Sequence, residues 1–163
     1  MQKTRAFALL ASVPESDLIS GLEAIAAQLD ADDLPPDHSP KVAFGSMAFE
    51  VFAEAEKLRA GKAIEVFIYA ANAKGEQPLN PQVTWHALYI GSVGSRRGRY
   101  PGKPIFRPVS TATDRPNWAV FWEVQELERL KTPIAIGSLR GKNKKTTLQP
   151  RFIPEEPILV EYL

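Results

Sequence analysis

Residues 83–124 read VTWHALYIGSVGSRRGRYPGKPIFRPVSTATDRPNWAVFWEV, and they indicate more about the fold than any other stretch. Two strand patterns rich in aromatic residues, at 83–93 and 117–124, flank a loop dense in arginine and glycine. Successive side chains of a strand point to opposite faces. Trp85 and Tyr89 therefore share one face of the first strand, and Trp118 and Trp122 share one face of the second. The stretch predicts two strands joined by a basic loop.

Strand patterns continue outward from this stretch, with turn signals between them. They occupy residues 4–11, 42–46, 64–70, 83–90, 105–109, 118–124, 133–136 and 157–162. Apolar residues at helical spacing predict two helices, at 13–29 and 48–59. Ser12 with Glu15 three residues later resembles a capping box for the first helix, and Gly61 is placed to end the second. The order predicts an α+β fold, a small, mainly antiparallel β-barrel with two flanking helices.

Length and composition indicate one domain over residues 1–163, with an apolar content of 44% that can form a single core. We divide it into an N-terminal strand, helix and acidic loop at 1–41, and a barrel at 42–163. The net charge is +1, from 20 basic and 19 acidic residues, which excludes a polycation that coats nucleic acid indiscriminately. The cations are instead clustered, and the clusters predict a local basic region.

The chain has no cysteine and two histidines, His38 and His86. Disulfides and thiolate metal sites are therefore excluded, and we expect neither a metal ion nor a cofactor. The apolar run at 6–11 is too short for a signal peptide or a membrane span. We expect a cytoplasmic protein with no membrane partner.

Aromatic strand faces beside a flexible basic loop are suited to hold a base and its phosphates. Trp85 and Trp118 are the best candidates for stacking, since each lies next to a turn, although the same side chains could fill the core. The candidate phosphate ligands are cations of the loop and of a second cluster. They are Arg96, Arg97, Arg99, Lys103, Arg107, Lys142, Lys144 and Lys145. Arg107 lies in an apolar context and needs a partner, either Asp114, Glu123 or a ligand.

Two alternatives belong to other classes of function. A hydrolase or nuclease could use His86, Glu123 and the arginine loop, and the run Leu88–Gly91 matches half of the GIY-YIG nuclease signature. The other half of that signature lacks its glycine, which speaks against the nuclease. A protein-interaction module could instead use exposed aromatic side chains as a partner surface.

The order of segments from about residue 43 resembles the EVE domain, a member of the PUA-like group of small β-barrels. The resemblance rests on Phe44–Gly45–Ser46, on a helix end at 57–62 and on the strand at 66–69. It continues with LYIGSV at 88–93, WAVFWEV at 118–124 and the steps at 127–134 and 139–141. It implies non-enzymatic binding of nucleic acid, DNA or RNA, with a modified or flipped base in an aromatic pocket. Carried over by position, Phe44, Ser46, Tyr69 and Trp118 would lie near such a pocket.

Overall fold

A computed structural model of the chain describes residues 2–31, 34, 39–72, 81–111 and 117–163. Asp114 and His38 lie outside the described residues. The elements follow in the order β1 (Ala8–Pro14), α1 (Glu15–Leu29), β2 (Val42–Ser46), α2 (Phe49–Arg59), β3 (Ile64–Ala71), β4 (Gln82–Gly94), β5 (Val120–Ala135) and β6 (Ile158–Val160). Short 3-10 turns occupy Pro104–Phe106, Val109–Thr111 and Ile136–Ser138.

The strands form one six-stranded sheet in the order β2-β5-β4-β3-β1-β6. All neighbours are antiparallel except β1 and β3, which pair in parallel from Leu9 with Val66 to Pro14 with Ala71. The chain between those two strands crosses over through α1, β2 and α2, as a parallel pair requires. The fold is therefore α+β with a mostly antiparallel sheet and two helices. β2 and β6 are its edges, and the sheet is not closed.

One face of the sheet carries the main core, which both helices help to cover. Phe52 of α2 is stacked against Tyr89 and Trp122, with ring centroids 5.8 and 5.6 Å apart. Burying an aromatic or large aliphatic side chain contributes roughly 1.5–3 kcal/mol, so this packing fixes α2 on the sheet. A smaller core on the other face contains Leu10, Phe67 and Leu139.

Several predicted elements are confirmed. β2 matches the predicted residues, and β3 and α2 differ from the prediction by one residue at one end. Helix α2 ends as expected, because Ala60 and Gly61 both adopt left-handed backbone with φ of 50° and 79°. Glycine is the residue that tolerates this conformation best.

The start of α1 differs from the prediction. β1 continues to Pro14, and Ser12 pairs with Tyr69 of β3. Pro14 is the N-cap of the helix, and no side chain caps it by a hydrogen bond. The predicted capping box is wrong because pairing with β3 keeps Ser12 in the sheet.

The predicted strand at 105–109 is also wrong, since two 3-10 turns occupy this region. Pro104 and Pro108 have no backbone N–H to donate to a ladder, which disfavours a strand here. The predicted strands at 118–124 and 133–136 fall largely within the single long β5, but Trp118, Ala119 and Ile136 lie outside it. The pairing of β2 with β5 extends only as far as Val124. Pro133 lies beyond this point, where β5 has no β2 partner that would require a backbone N–H.

Candidate ligand-binding site

The two edges of the sheet face each other across a cavity of about 480 Å³. Its walls come from the end of β2 and the turn that follows, from the end of β1, and from the segment before β6. The lining residues are Ser12, Val13, Pro14, Asp17, Phe44, Gly45, Ser46, Met47, Ala48, Arg107, Thr111, Trp118, Trp122, Glu155, Glu156 and Pro157. The curl of the open sheet therefore produces a concave site large enough for one planar ring.

Trp118 is a partly exposed wall of this cavity. A Cβ atom on Gly45 would lie 2.6 Å from three atoms of the indole ring, so the ring lies directly against the glycine backbone. Only glycine permits this approach. Within the described residues the indole Nε1 is buried and has no hydrogen-bond partner. Such a donor costs about 1–3 kcal/mol while unpaired, and a ligand acceptor would recover that cost.

The turn between β2 and α2 forms the rim of the cavity. Ser46 Oγ accepts a hydrogen bond of 3.0 Å from Ala48 N–H, and Phe49 N–H donates to Met47 C=O at 2.9 Å. Ala48 has φ −83° and ψ 57°, close to an inverse γ-turn. Met47 and Phe49 are each 60% exposed. The turn thus holds two large apolar side chains in solvent beside the cavity.

Residues 95–99, the arginine hairpin, lie next to Trp118. Arg96 and Arg99 exchange both backbone hydrogen bonds, and Arg97 and Gly98 have φ of 56° and 83°, as in a type I′ turn. Trp118 N–H donates to Gly98 C=O at 3.2 Å, and Ser95 N–H donates to the neighbouring Ala119 C=O at 3.1 Å. Arg96, Arg97 and Arg99 are exposed. The backbone of the arginine hairpin is therefore anchored to the segment that forms one wall of the cavity, and its three arginine side chains are exposed.

Residues 100–111, the strap, are packed on the protein. Gln28 Nε2 of α1 donates to Ile105 C=O at 3.3 Å, and Ser110 N–H donates to Ser20 Oγ at 3.0 Å. Arg107 Nη1 donates to Ala43 C=O at 2.8 Å. The strap thereby positions Arg107 and Thr111 at the cavity. Within residues 95–111 the exposed cations are Arg96, Arg97, Arg99 and Lys103.

A polar cluster holds the start of the strap on β5. The Tyr100 hydroxyl donates to the Glu123 carboxylate, which also pairs with Lys41 Nζ at 3.1 Å. Burial, followed by this hydrogen bond to Glu123, raises the pKa of Tyr100 above its usual range. Glu123 is buried, and these two partners balance its charge.

The structure places the predicted pocket residues in different environments. Phe44, Ser46 and Trp118 line the cavity together. Tyr69 instead packs against the smaller core on the other face. The prediction of Trp85 as a stacking residue is wrong, because its side chain has 0% exposure and the Arg129 guanidinium lies 4.6 Å from its ring centroid. Trp85 lies on the face of β4 that is buried in the main core.

The predicted phosphate ligands fall into separate groups. Arg96, Arg97 and Arg99 lie in the arginine hairpin, Lys103 is exposed on the strap, and Arg107 contacts Ala43 and lies over the Phe121 ring at 5.0 Å. Lys142, Lys144 and Lys145 lie in a second turn at 140–147, the lysine hairpin, where Gly141 bridges to Val160 of β6. β6 is three places from β4 in the sheet order. Of all the predicted phosphate ligands, only Arg107 lines the cavity.

The residues of the hydrolase alternative are not brought together. His86 Nε2 lies 3.5 Å from Glu65 Oε1, and His86 pairs in register with Glu128. Glu123 lies on β5 five positions from Glu128, roughly 16 Å at strand spacing. Its carboxylate instead binds Tyr100 and Lys41.

Sequence reasoning missed several lining residues. Ser12 and Asp17 were assigned to a helix, and Thr111, Glu155 and Glu156 were not considered. They come from distant parts of the chain that only the curled sheet brings together. No local pattern marks them in the sequence.

The described residues hold no group of three or more His, Asp or Glu side chains that could bind a metal ion. Among the helices that the structure describes, none is both long and apolar enough to cross a membrane. Comparison with protein-family models found no matching family, and no curated protein shows significant similarity to the chain.

Proposed function

We propose that this protein is a non-enzymatic nucleic-acid-binding module that places one unpaired base in the cavity. Trp118 would stack on the base, and Arg96, Arg97 and Arg99 would contact the flanking phosphates. The proposal rests on one observation, a partly exposed indole at the cavity whose backbone is hydrogen-bonded to a hairpin that carries three exposed arginine side chains. Stacking on aromatic rings together with backbone neutralisation is how single-stranded nucleic acid is held.

The charge around the cavity supports a particular orientation of the ligand. Asp17, Glu155 and Glu156 line the wall that α1 and the segment before β6 provide. Phosphates would be repelled from this wall and attracted to the arginine hairpin. Carboxylates can accept hydrogen bonds from the amino groups of bases. The base would therefore enter with its backbone on the side of Trp118 and the hairpin.

We further propose that the open, curled sheet has the PUA-like architecture of the EVE domain. The order of segments supports this proposal, as does the use of the Phe44–Gly45–Ser46 segment as a cavity wall with Trp118 against Gly45. A modified base is the ligand that the resemblance favours.

The test is fluorescence anisotropy with labelled single- and double-stranded DNA and RNA, titrated with salt. We expect binding whose log affinity falls linearly with log salt concentration, since phosphate contacts release counterions. Trp118→Ala should weaken binding without changing that slope, whereas neutralising the arginine hairpin should reduce the slope. Absence of binding at low salt to every probe would refute the proposal.

The acidic wall favours one second candidate, a protein-interaction module that accepts a cationic side chain. Aromatic rings and carboxylates around one cavity stabilise ammonium groups through cation–π and ionic contacts. Titration with a lysine-rich peptide distinguishes the two functions. Binding of the peptide that Asp17→Asn abolishes, with no binding of nucleic acid, would establish this second function.

A further inference from the structure

The free edge of β2 has backbone groups that could recognise a ligand in the cavity. In an antiparallel pair, alternate residues direct both their N–H and C=O groups to the neighbouring strand. The residues between them direct both groups outward. β2 pairs only with β5, so every second residue of β2 presents an unpaired backbone donor and acceptor at this edge.

Side chains already occupy the first two outward positions. The amide of Gln28 binds both backbone groups of Lys41, accepting from its N–H at 3.0 Å and donating to its C=O at 2.6 Å. Arg107 Nη1 donates to the C=O of Ala43 at 2.8 Å. These contacts protect the edge from pairing with another strand, as natural sheets commonly require.

Gly45 is the next outward position, since it follows Lys41 and Ala43 at the same spacing of two. It lines the cavity and is partly exposed. Among the described residues no hydrogen bond outside the β2–β5 ladder reaches its backbone. The indole of Trp118 lies over it, with its own N–H unpaired. One backbone donor and one backbone acceptor therefore lie at the cavity, beside the indole ring of Trp118.

We propose that Gly45 N–H and C=O bind the hydrogen-bonding edge of the base in the cavity, while the Trp118 ring stacks on its face. Each base carries adjacent donors and acceptors on its Watson–Crick edge, which match a backbone N–H and C=O of one residue. This inference rests on the proposed function and adds the requirement that this edge of the base be unpaired and unblocked.

The length of the open edge favours a base over a peptide strand. A peptide that extends a sheet needs a run of several free backbone groups along the edge. Here the contacts of Gln28 and Arg107 leave Gly45 as the outward residue of β2 at the cavity. A single residue can pair with a small planar group but cannot hold an extended strand.

The experiment compares single strands of equal length and sequence on the full chain. One set contains adenine or cytosine, and the other contains etheno-adenine or etheno-cytosine, in which the Watson–Crick edge is blocked while the stacking face remains. Binding is measured by anisotropy. Glycine-selective ¹⁵N labelling gives a simple amide spectrum, because the chain has 10 glycines, and Gly45→Ala assigns the Gly45 signal by its loss.

We expect the etheno strands to bind roughly tenfold more weakly, with the same salt slope, because about two hydrogen bonds are lost. The Gly45 amide signal should move downfield with the normal strands and stay in place with the etheno strands. Equal affinity of both sets, with an unchanged Gly45 signal, would overturn this inference and leave stacking and phosphate contact intact. Failure of every strand to bind at low salt would overturn the proposed function and the inference together.

Discussion

The arginine hairpin carries three clustered arginines and the lysine hairpin carries three clustered lysines together with Arg140, but the two hairpins lie beside different parts of the molecule. The arginine hairpin is bonded to the segment that carries Trp118, and this segment forms a cavity wall. The lysine hairpin adjoins β6, where Glu161 accepts a hydrogen bond from Asn143 N–H and Gly141 bridges to Val160. Neither Lys142, Lys144 nor Lys145 lines the cavity.

The difference teaches that a charge cluster alone does not define a binding site. Three exposed cations raise local anion concentration wherever they lie. They would contribute to specific recognition only where a second group contacts the same ligand, and in the proposed complex that group is the Trp118 indole. The two hairpins therefore offer a matched comparison, because neutralising the three arginines of one or the three lysines of the other removes three positive charges from the same protein.

The largest expected effect comes from Arg96→Gln, Arg97→Asn and Arg99→Gln combined. Asn is chosen at position 97 because it tolerates the positive φ of this turn. We expect affinity for single-stranded nucleic acid to fall on the order of a hundredfold at low salt. The slope of log affinity against log salt concentration should become less steep by roughly two to three. Anisotropy at several salt concentrations measures both quantities.

The matched control is Lys142→Gln, Lys144→Gln and Lys145→Gln combined. We expect a much smaller loss of affinity, since these side chains act only through long-range attraction. Equal losses in the two triple variants would break the comparison and show that net charge alone drives binding.

The next effect concerns Trp118, which adjoins the arginine hairpin but not the lysine hairpin. Trp118→Ala should lower affinity roughly tenfold while leaving the salt slope unchanged, because stacking contributes about 1–3 kcal/mol per base. Leu29→Ala, at an apolar side chain with 72% exposure on α1, is the control and should bind normally. A reduced salt slope in Trp118→Ala would mean that the hairpin had moved, against our prediction.

Gly45→Ala should have a smaller effect of the same kind. The new methyl group would meet the indole at 2.6 Å, so the ring must shift away from β2. We expect a several-fold loss of affinity and a change in tryptophan fluorescence, with the salt slope retained. Wild-type affinity and fluorescence in this variant would show that the ring position does not matter.

The smallest effect on binding is expected for Tyr100→Phe, at the start of the strap. Loss of the hydrogen bond to Glu123 should lower the free energy of unfolding by about 1.5–3 kcal/mol, because the acceptor is charged. Affinity should change less than twofold if the arginine hairpin folds independently of the strap. Urea unfolding and anisotropy measure the two effects.

The same variant has a predicted pH signature. The pKa of Tyr100 is raised by burial and then by Glu123, so the folded state keeps the phenol protonated where the unfolded chain ionises. Wild-type stability should therefore fall as pH rises above about 10, the usual tyrosine pKa. Tyr89 is shifted in the same direction and remains in the variant. The fall in stability should thus be smaller in Tyr100→Phe, and an identical pH profile would contradict this assignment.

The sequence by itself determined the elements whose signals are local. Continuous apolar residues gave β3 its central position, the helical spacing of Phe52 and Ala55 predicted α2, and Gly61 marked its end. The aromatic strands around the arginine hairpin were likewise predictable, because alternation of side chains is a property of the strand alone. The segment Phe44–Gly45–Ser46 and Trp118 were also singled out from the sequence.

Only the tertiary structure decided what depends on pairing between distant segments. Trp85 is buried because its face of β4 packs in the main core, whereas Trp118 precedes β5 and is partly exposed at the cavity. Pairing with β3 kept Ser12 in β1. The cavity joins Asp17, Gly45 and Glu155, which no local pattern relates. The physical reason is that a strand's neighbours and the curl of the sheet are set by packing across the whole chain, whereas periodicity reports only which faces can be buried.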